Sequence, residues 1–228
     1  MYHKELGEIV IKKNARSKSF IARIKNGVLY FTVPVFVSQK NINQFIEQNK
    51  EALLQLKKIN PSLCIDTNFT IDTEFYCLSI KQTPQKQSRL QRDGKDYVLH
   101  LGGDFDFDEE NTQEWLRKVI EETLIERAKE VFPPLLMQLA KKHRLEFSRV
   151  SINRAKRRWG SCSSTKSINI SCYTLLLPLH LMEFVLLHEL THTIHMNHSE
   201  KFWSLLDQLS GKKVKEYNAQ LKSFKLPL

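Results

Sequence analysis

Over the first hundred positions apolar residues come in short runs that alternate with polar ones. This is the period-two pattern of half-buried strands. Residues 9–11, 20–24 and 28–33 form three such runs, with Asn26-Gly27 between the second and third. Asn-Gly supplies the two positive-φ positions of a type I′ turn, so a hairpin is predicted there. Pro34 ends the third strand. Ser38 then opens a helical period in which Ile42, Phe45, Ile46, Leu53, Leu54 and Leu56 share one face. One helix is expected, reaching about residue 59 and closed by Pro61. Strands follow at 69–71 and 75–80, and a second hairpin joins 88–92 to 97–101 through Asp93-Gly94.

Beyond this point the period changes to that of a helix. Asn111 and Glu114 have capping-box spacing, and Trp115, Leu116, Val119, Leu124, Ala128, Val131 and Phe132 keep the helical repeat. Pro133-Pro134 should kink or divide that helix, because proline removes an amide donor and crowds the preceding turn. Strands are expected at 150–153 and 167–171 around a polar loop. Pro178 starts a helix to about His195, Ser199 caps another that Gly211 terminates, and a closing helix covers 214–221. No internal repeat is visible. Gly102-Gly103 opens an acidic stretch that ends at Glu109-Glu110, and a boundary is placed there. The expected organisation is α+β: a β-rich N-terminal region with one helix over 1–110, then a largely helical part with a small antiparallel sheet over 111–228.

The chemistry concentrates in the last of these segments. Five of the eight histidines lie between His180 and His198, around His188-Glu189-Leu190-Thr191-His192. Helical positions four apart lie about 40° around and about 6 Å along the axis, so two imidazoles can reach one metal ion. Glu189, beside the first, is placed to deprotonate a water. The lead-in Phe184-Val185-Leu186-Leu187 suits a buried helix. A third ligand is expected at His198, after a chain reversal at Met196-Asn197 where Asn tolerates the left-handed conformation. His195 competes, but it stands about 10 Å along the axis from His188 on an unbroken helix, so His198 is favoured. Three protein ligands with an open fourth position is the pattern of catalytic zinc, one ion per chain.

Composition narrows the setting. The 228 residues carry 35 Lys and Arg against 25 Asp and Glu, a net of +10. Residues 151–228 hold 11 basic and 5 acidic groups, a net of +6, and four of those bases are Arg154, Lys156, Arg157 and Arg158. With Trp159 they could form a phosphate-binding loop with a stacking ring, which admits a nucleotide or nucleic-acid partner. The plainer reading is a solvated loop with a core Trp. Four cysteines without a CxxC pair exclude a disulfide framework. Cys162 and Cys172 read as small buried residues, with Cys162 a remote candidate nucleophile. The N-terminus has no signal-peptide pattern and no run approaches about 18 apolar residues, so a cytoplasmic protein without a membrane partner is expected.

The ordered set Arg158-Trp159-Gly160-Ser161-Cys162-Ser163, then Pro178, then His188-Glu189-Leu190-Thr191-His192, then Asn197-His198-Ser199 with Phe202-Trp203, resembles the YgjP-like family of zinc metallopeptidases and metal-dependent hydrolases, relatives of SprT-like proteins. The likeness is strong over about 150–205 and looser over Arg16-Ser17-Lys18, the Asn26-Gly27 hairpin and Val33-Pro34. It implies a zincin-like catalytic core with zinc on His188, His192 and His198, and Glu189 as general base. A peptide or protein substrate would lie along the strand near Arg158, Trp159 and Gly160 by β-addition. Position 195 is His where metzincins place Gly, so the turn delivering His198 must differ. The alternatives are hydrolysis of a nucleotide phosphoanhydride, or a zinc protein associated with nucleic acid.

Overall fold

The alternating pattern folds into strands whose inward positions are apolar. In the computed structural model, residues 1–25, 28–59, 64–103 and 105–228 are described. Two compact units result, Met1–Cys64 and Ile65–Leu228.

In the first unit, β1 (Tyr2–His3), β2 (Gly7–Lys13), β3 (Ile21–Lys25) and β4 (Val28–Val33) form a sheet of order β1-β2-β4-β3. β3 and β4 are antiparallel, as a hairpin requires, and β2 runs parallel to β4. Asn26-Gly27 and Pro61 lie outside the described residues. The expected single helix is two, α1 (Gln39–Gln48) and α2 (Lys50–Ile59), separated at Asn49. The Asn49 side-chain amide donates to the Phe45 carbonyl at 2.9 Å, competing with the helical ladder at that turn. Ser38 caps α1 by accepting from the Asn41 amide. Leu6, Ile9, Leu29, Phe31, Val33, Ile42, Ile46 and Leu53 make this unit's core.

The second unit begins with β5 (Thr70–Asp72), β6 (Cys77–Thr83), β7 (Arg89–Asp93) and β8 (Asp96–Gly102), in the order β5-β6-β8-β7. Asp93 pairs with Asp96, so the hairpin loop is Gly94-Lys95, one residue later than expected. Gly94 has φ +55°, and it occupies the first central position that a II′ turn reserves for glycine.

Helix α3 (Glu110–His143) then runs without division through Pro133 and Pro134, contrary to expectation. Burial on both sides of the prolines holds it: Phe132 and Leu136 are fully buried, and Leu139 and Ala140 nearly so. Its N-cap is Glu109 and not Asn111, which lies inside the first turn. Leu99, Leu101, Leu116 and Ile120 belong to one core, so the composition break near residue 110 falls between elements that pack together.

A third sheet, β9 (Arg149–Asn153), β10 (Gly160–Cys162) and β11 (Ser167–Ser171), has the order β10-β11-β9. It is mixed: the two expected strands, β9 and β11, run parallel and not antiparallel, and the antiparallel partner of β11 is β10, from within the expected polar loop. A 3₁₀ turn (Cys172–Leu176) leads to α4 (Leu179–Thr191), α5 (Glu200–Leu209) and α6 (Val214–Ser223). No described helix is long and apolar enough to cross a membrane.

Candidate metal centre

Helix α4 is apolar nearly all round, and Leu181, Met182, Phe184, Val185, Leu186, Leu187 and Leu190 are buried. A helix of that kind belongs inside a core, which fixes whatever polar groups it carries. Among those groups are His188, Glu189 and, at the helix C-cap, His192. The helix ends with tightened turns, the Thr193 amide donating to Leu190 and the Ile194 amide to Thr191. These bonds reverse the chain. Asn197 is not in the left-handed region, so the expected role of that residue in the turn is not found. Ser199 then stands at the N-cap of α5.

His188, His192 and His198 each bring a ring nitrogen to one point, all within 4.8 Å of one another. The Nε2 atoms of His198 and His188 are 3.1 Å apart. Phe202 of α5, fully buried, lies against all three rings with centroid separations of 4.9, 4.5 and 4.7 Å. Trp203 stacks on His198 at 5.3 Å. His195 is not in the cluster, but its backbone carbonyl lies 3.0 Å from Nδ1 of His192. A carbonyl only accepts, so Nδ1 carries the proton and Nε2 keeps its lone pair for a metal.

The electrostatics fit a cation. Burial, with His192 and His198 close by, pushes His188 down to about 3. His192 is also lowered, chiefly by burial. Both imidazoles are therefore neutral near pH 7, the state a ligand needs. Glu189 is 5% exposed, and its Oε2 has no hydrogen-bond partner among the described residues. Burial raises its carboxyl to about 8, partly opposed by Arg158. A buried carboxyl oxygen without a partner among the described residues, beside neutral ring nitrogens, fits a bound cation and its water.

Gly160 of β10 explains how Glu189 fits. A Cβ built at Gly160 would lie 2.7 Å from Glu189 Cγ and Oε1, a distance real contacts do not show. The carboxylate therefore rests directly on the β10 backbone. Glu189, His188, Gly160, Trp159 and Arg158 border a cavity of about 300 Å³. Its far wall comes from Asn218, Leu221 and Lys222 of α6, which sequence reasoning missed because nothing in a short amphipathic helix tells what it faces.

The basic loop is divided in its duties. Arg154 pairs with Glu122 at 2.6 Å and lies 3.6 Å from Glu121 on α3, and Lys156 sits 5.3 Å over the Tyr173 ring. Arg158 alone of the four bases lines the cavity. Trp159 is half-buried, meets Phe224 edge-on at 5.9 Å, and its carbonyl accepts from the Ser171 amide. Cys162 is pushed up to about 11, first by burial and then by Glu189, which keeps it a thiol.

A family model described as YgjP-like, metallopeptidase domain, matches residues 18–224. Among solved structures, this chain is similar to the metallopeptidase zymogen of Pyrococcus abyssi abylysin. The identity is 23%, the match covers 40% of this chain and 90% of that one, and the TM-score is 0.36. It is likewise similar to the metallopeptidase zymogen of Methanocaldococcus jannaschii jannalysin, at 22% identity over 39% of this chain and 91% of that one, with a TM-score of 0.35. No curated protein matches the chain.

Proposed function

We propose, from the premise that this chain belongs to the YgjP-like metallopeptidase family, that it hydrolyses peptide bonds with zinc on His188, His192 and His198 and with Glu189 as general base. The observation that carries this reading is the convergence of three imidazole nitrogens beside a buried, unpartnered carboxylate. Zinc, when bound, would supply a Lewis acid that polarises the scissile carbonyl and makes water acidic near neutral pH.

The rest is the work of the chain. Glu189 takes the proton of the attacking water and returns it to the leaving amine nitrogen. Its burial makes it a stronger base than an exposed carboxylate. Resting on Gly160, the carboxylate has little freedom to turn away. The His195 carbonyl holds the His192 ring in one tautomer. Phe202 keeps water from the far side of the three rings and limits their rotation.

Glu189→Gln is the test. The variant keeps the shape of the side chain but cannot accept a proton. It is expected to retain zinc, measured by elemental analysis, while peptide hydrolysis falls by about 10³-fold. Undiminished hydrolysis in a folded, zinc-loaded Glu189→Gln protein would falsify the assignment.

A further inference from the structure

Two cavities share residues of α6. The first is the one at Glu189. The second, of about 710 Å³, lies between α5 and α6, where Trp203, Ser204 and Asp207 face Lys215, Ala219 and Lys222. Asn218 and Lys222 border both cavities, so the two are neighbouring stretches of one groove along α6. Trp203, which stacks on His198, ties the second cavity to the three rings as well.

The groove has a consistent chemistry. Lys215, Asn218, Ala219 and Lys222 stand at i, i+3, i+4 and i+7 of α6, which is one helical face. Apolar residues at that spacing would bury a helix against its neighbour. Here the stripe carries two cations and opens onto a cavity. Lys212 adds a third cation from the turn before α6, at φ +64°, a conformation that non-glycine residues seldom adopt. Arg158 adds a fourth beside Glu189.

Among the described residues, none of these four cations has a carboxylate within ion-pair distance. Elsewhere in this unit Arg92, Arg127 and Arg154 are all paired with glutamates of α3. Asp207 is the one carboxylate lining the second cavity, and its Oδ1 already accepts from the Val214 amide at the start of α6.

We propose that this groove receives an acidic flank of a polypeptide substrate, with an apolar side chain next to the scissile bond seated in the cavity at Glu189. The proposal rests on the peptidase reading above and adds the substrate class to it. Phe184, Val185 and Leu221 wall the first cavity and suit an apolar side chain. Lys215 and Lys222, seven residues apart, are separated by roughly 10 Å along the helix. A peptide in polyproline II conformation, with three residues per turn and a rise of roughly 3.1 Å per residue, covers that span in three residues and keeps carboxylates three apart on one face, so they meet both lysines. Opposite charges across such a surface give selectivity and speed encounter more than they add raw affinity.

The test uses fluorescein-labelled peptides with a central leucine and, on one side of it or the other, two glutamates three apart. Lysine and glutamine versions serve as comparisons. Binding to the zinc-loaded Glu189→Gln chain is followed by anisotropy. The glutamate peptide of one polarity should bind about tenfold more tightly than its lysine counterpart, with a preference that shrinks as salt is raised. Lys212→Glu/Lys215→Glu/Lys222→Glu should reverse the order, and the salt titration on the parent protein stands if that triple variant folds poorly.

Equal binding of all three charge versions, in both polarities, overturns the proposal. So does tighter binding of an oligo-dT of matched charge, which would make the groove a nucleic-acid surface. Charge-selective binding without cleavage by the unsubstituted protein would uphold the groove and sink the peptidase reading. Cleavage indifferent to charge would do the reverse.

Discussion

The second and third sheets are built on one plan and put to different use. In each, a first strand is followed by a hairpin whose returning arm pairs parallel to that first strand. The middle strand is thus left on the outside: β6-β8-β7 in one sheet and β9-β11-β10 in the other. The first unit repeats the plan as β2-β4-β3. The outer strand β7 is exposed at every residue. The outer strand β10 is only three residues long and half-buried, and it packs against α4 with Gly160 on Glu189. Shared connectivity therefore says nothing about chemistry. What matters is what the outer strand touches.

Both sheets of the second unit are tied, through residues in or beside their strands, to one stretch of α3 from Glu121 to Glu130. The Tyr76 hydroxyl lies 2.7 Å from Thr123 Oγ1, and the Tyr173 hydroxyl donates to Glu121. On the first side Arg92 also pairs with Glu126 and Glu130, and on the second Arg154 pairs with Glu122. One long helix is the common support, and it continues without division past two prolines. A break at Pro133 would uncouple Phe132 from Leu136, and both are fully buried.

The largest contrast between the sheets is expected at their outer strands. Gly160→Ala places a methyl group where Glu189 now lies, so the carboxylate must shift away from the centre. If Glu189 acts as proposed, its displacement costs about 10²-fold in turnover. Because the three imidazoles are positioned by α4 and the turn to α5, zinc content should be unchanged. The distinguishing readout is kcat falling with KM nearly constant. A Gly160→Ala enzyme with full kcat would remove β10 from any part in positioning Glu189.

A smaller difference is expected at the two tyrosines. Tyr173→Phe leaves the part-buried Glu121 with only the more distant Arg154, and losing a bond to a charged group costs about 1.5–3 kcal/mol. Tyr76→Phe deletes a neutral bond, and Thr123 still donates to the Ile120 carbonyl, so about 1 kcal/mol is expected. Denaturant unfolding of both variants measures the gap. If Tyr76→Phe proved the costlier of the two, the second sheet and not the site sheet would be the one more firmly held to α3.

The sequence carried the candidate site more openly than the fold. His188, Glu189 and His192 are legible because four-residue spacing on a helix is a local rule, and the helix is marked by its apolar lead-in. His198 was reachable by excluding His195 on distance. The strands of the hairpins were legible from alternation, as at Val28–Val33, where half-buried and buried residues alternate without exception. The parallel pairings β2-β4, β6-β8 and β9-β11 were not, because they join strands across a hairpin and leave no mark in the intervening residues. This is also why no repeat was visible in the sequence although the same strand order occurs three times. The unbroken α3 was missed because a local rule, proline as helix breaker, was outweighed by burial that only the tertiary structure reveals. The part of α6 in lining the cavity was hidden for the same reason.

The smallest expected effect is the one that guards the comparison. Leu90 stands in β7 with 42% of its surface exposed, at the position that pairs with Leu99 of β8. It is the counterpart, in the second sheet, of a residue in β10. If outer strands matter through what they touch, Leu90→Ala removes a side chain that covers little and meets no catalytic group. Stability should move by no more than about 0.5 kcal/mol, as for ordinary surface substitutions. Turnover and zinc content should equal those of the unsubstituted protein. A substantial loss of activity in Leu90→Ala would mean that strain in β7 reaches the centre through β8 and α3. The two sheets would then act on Glu189 as one body, and the effect of Gly160→Ala could no longer be ascribed to direct contact alone.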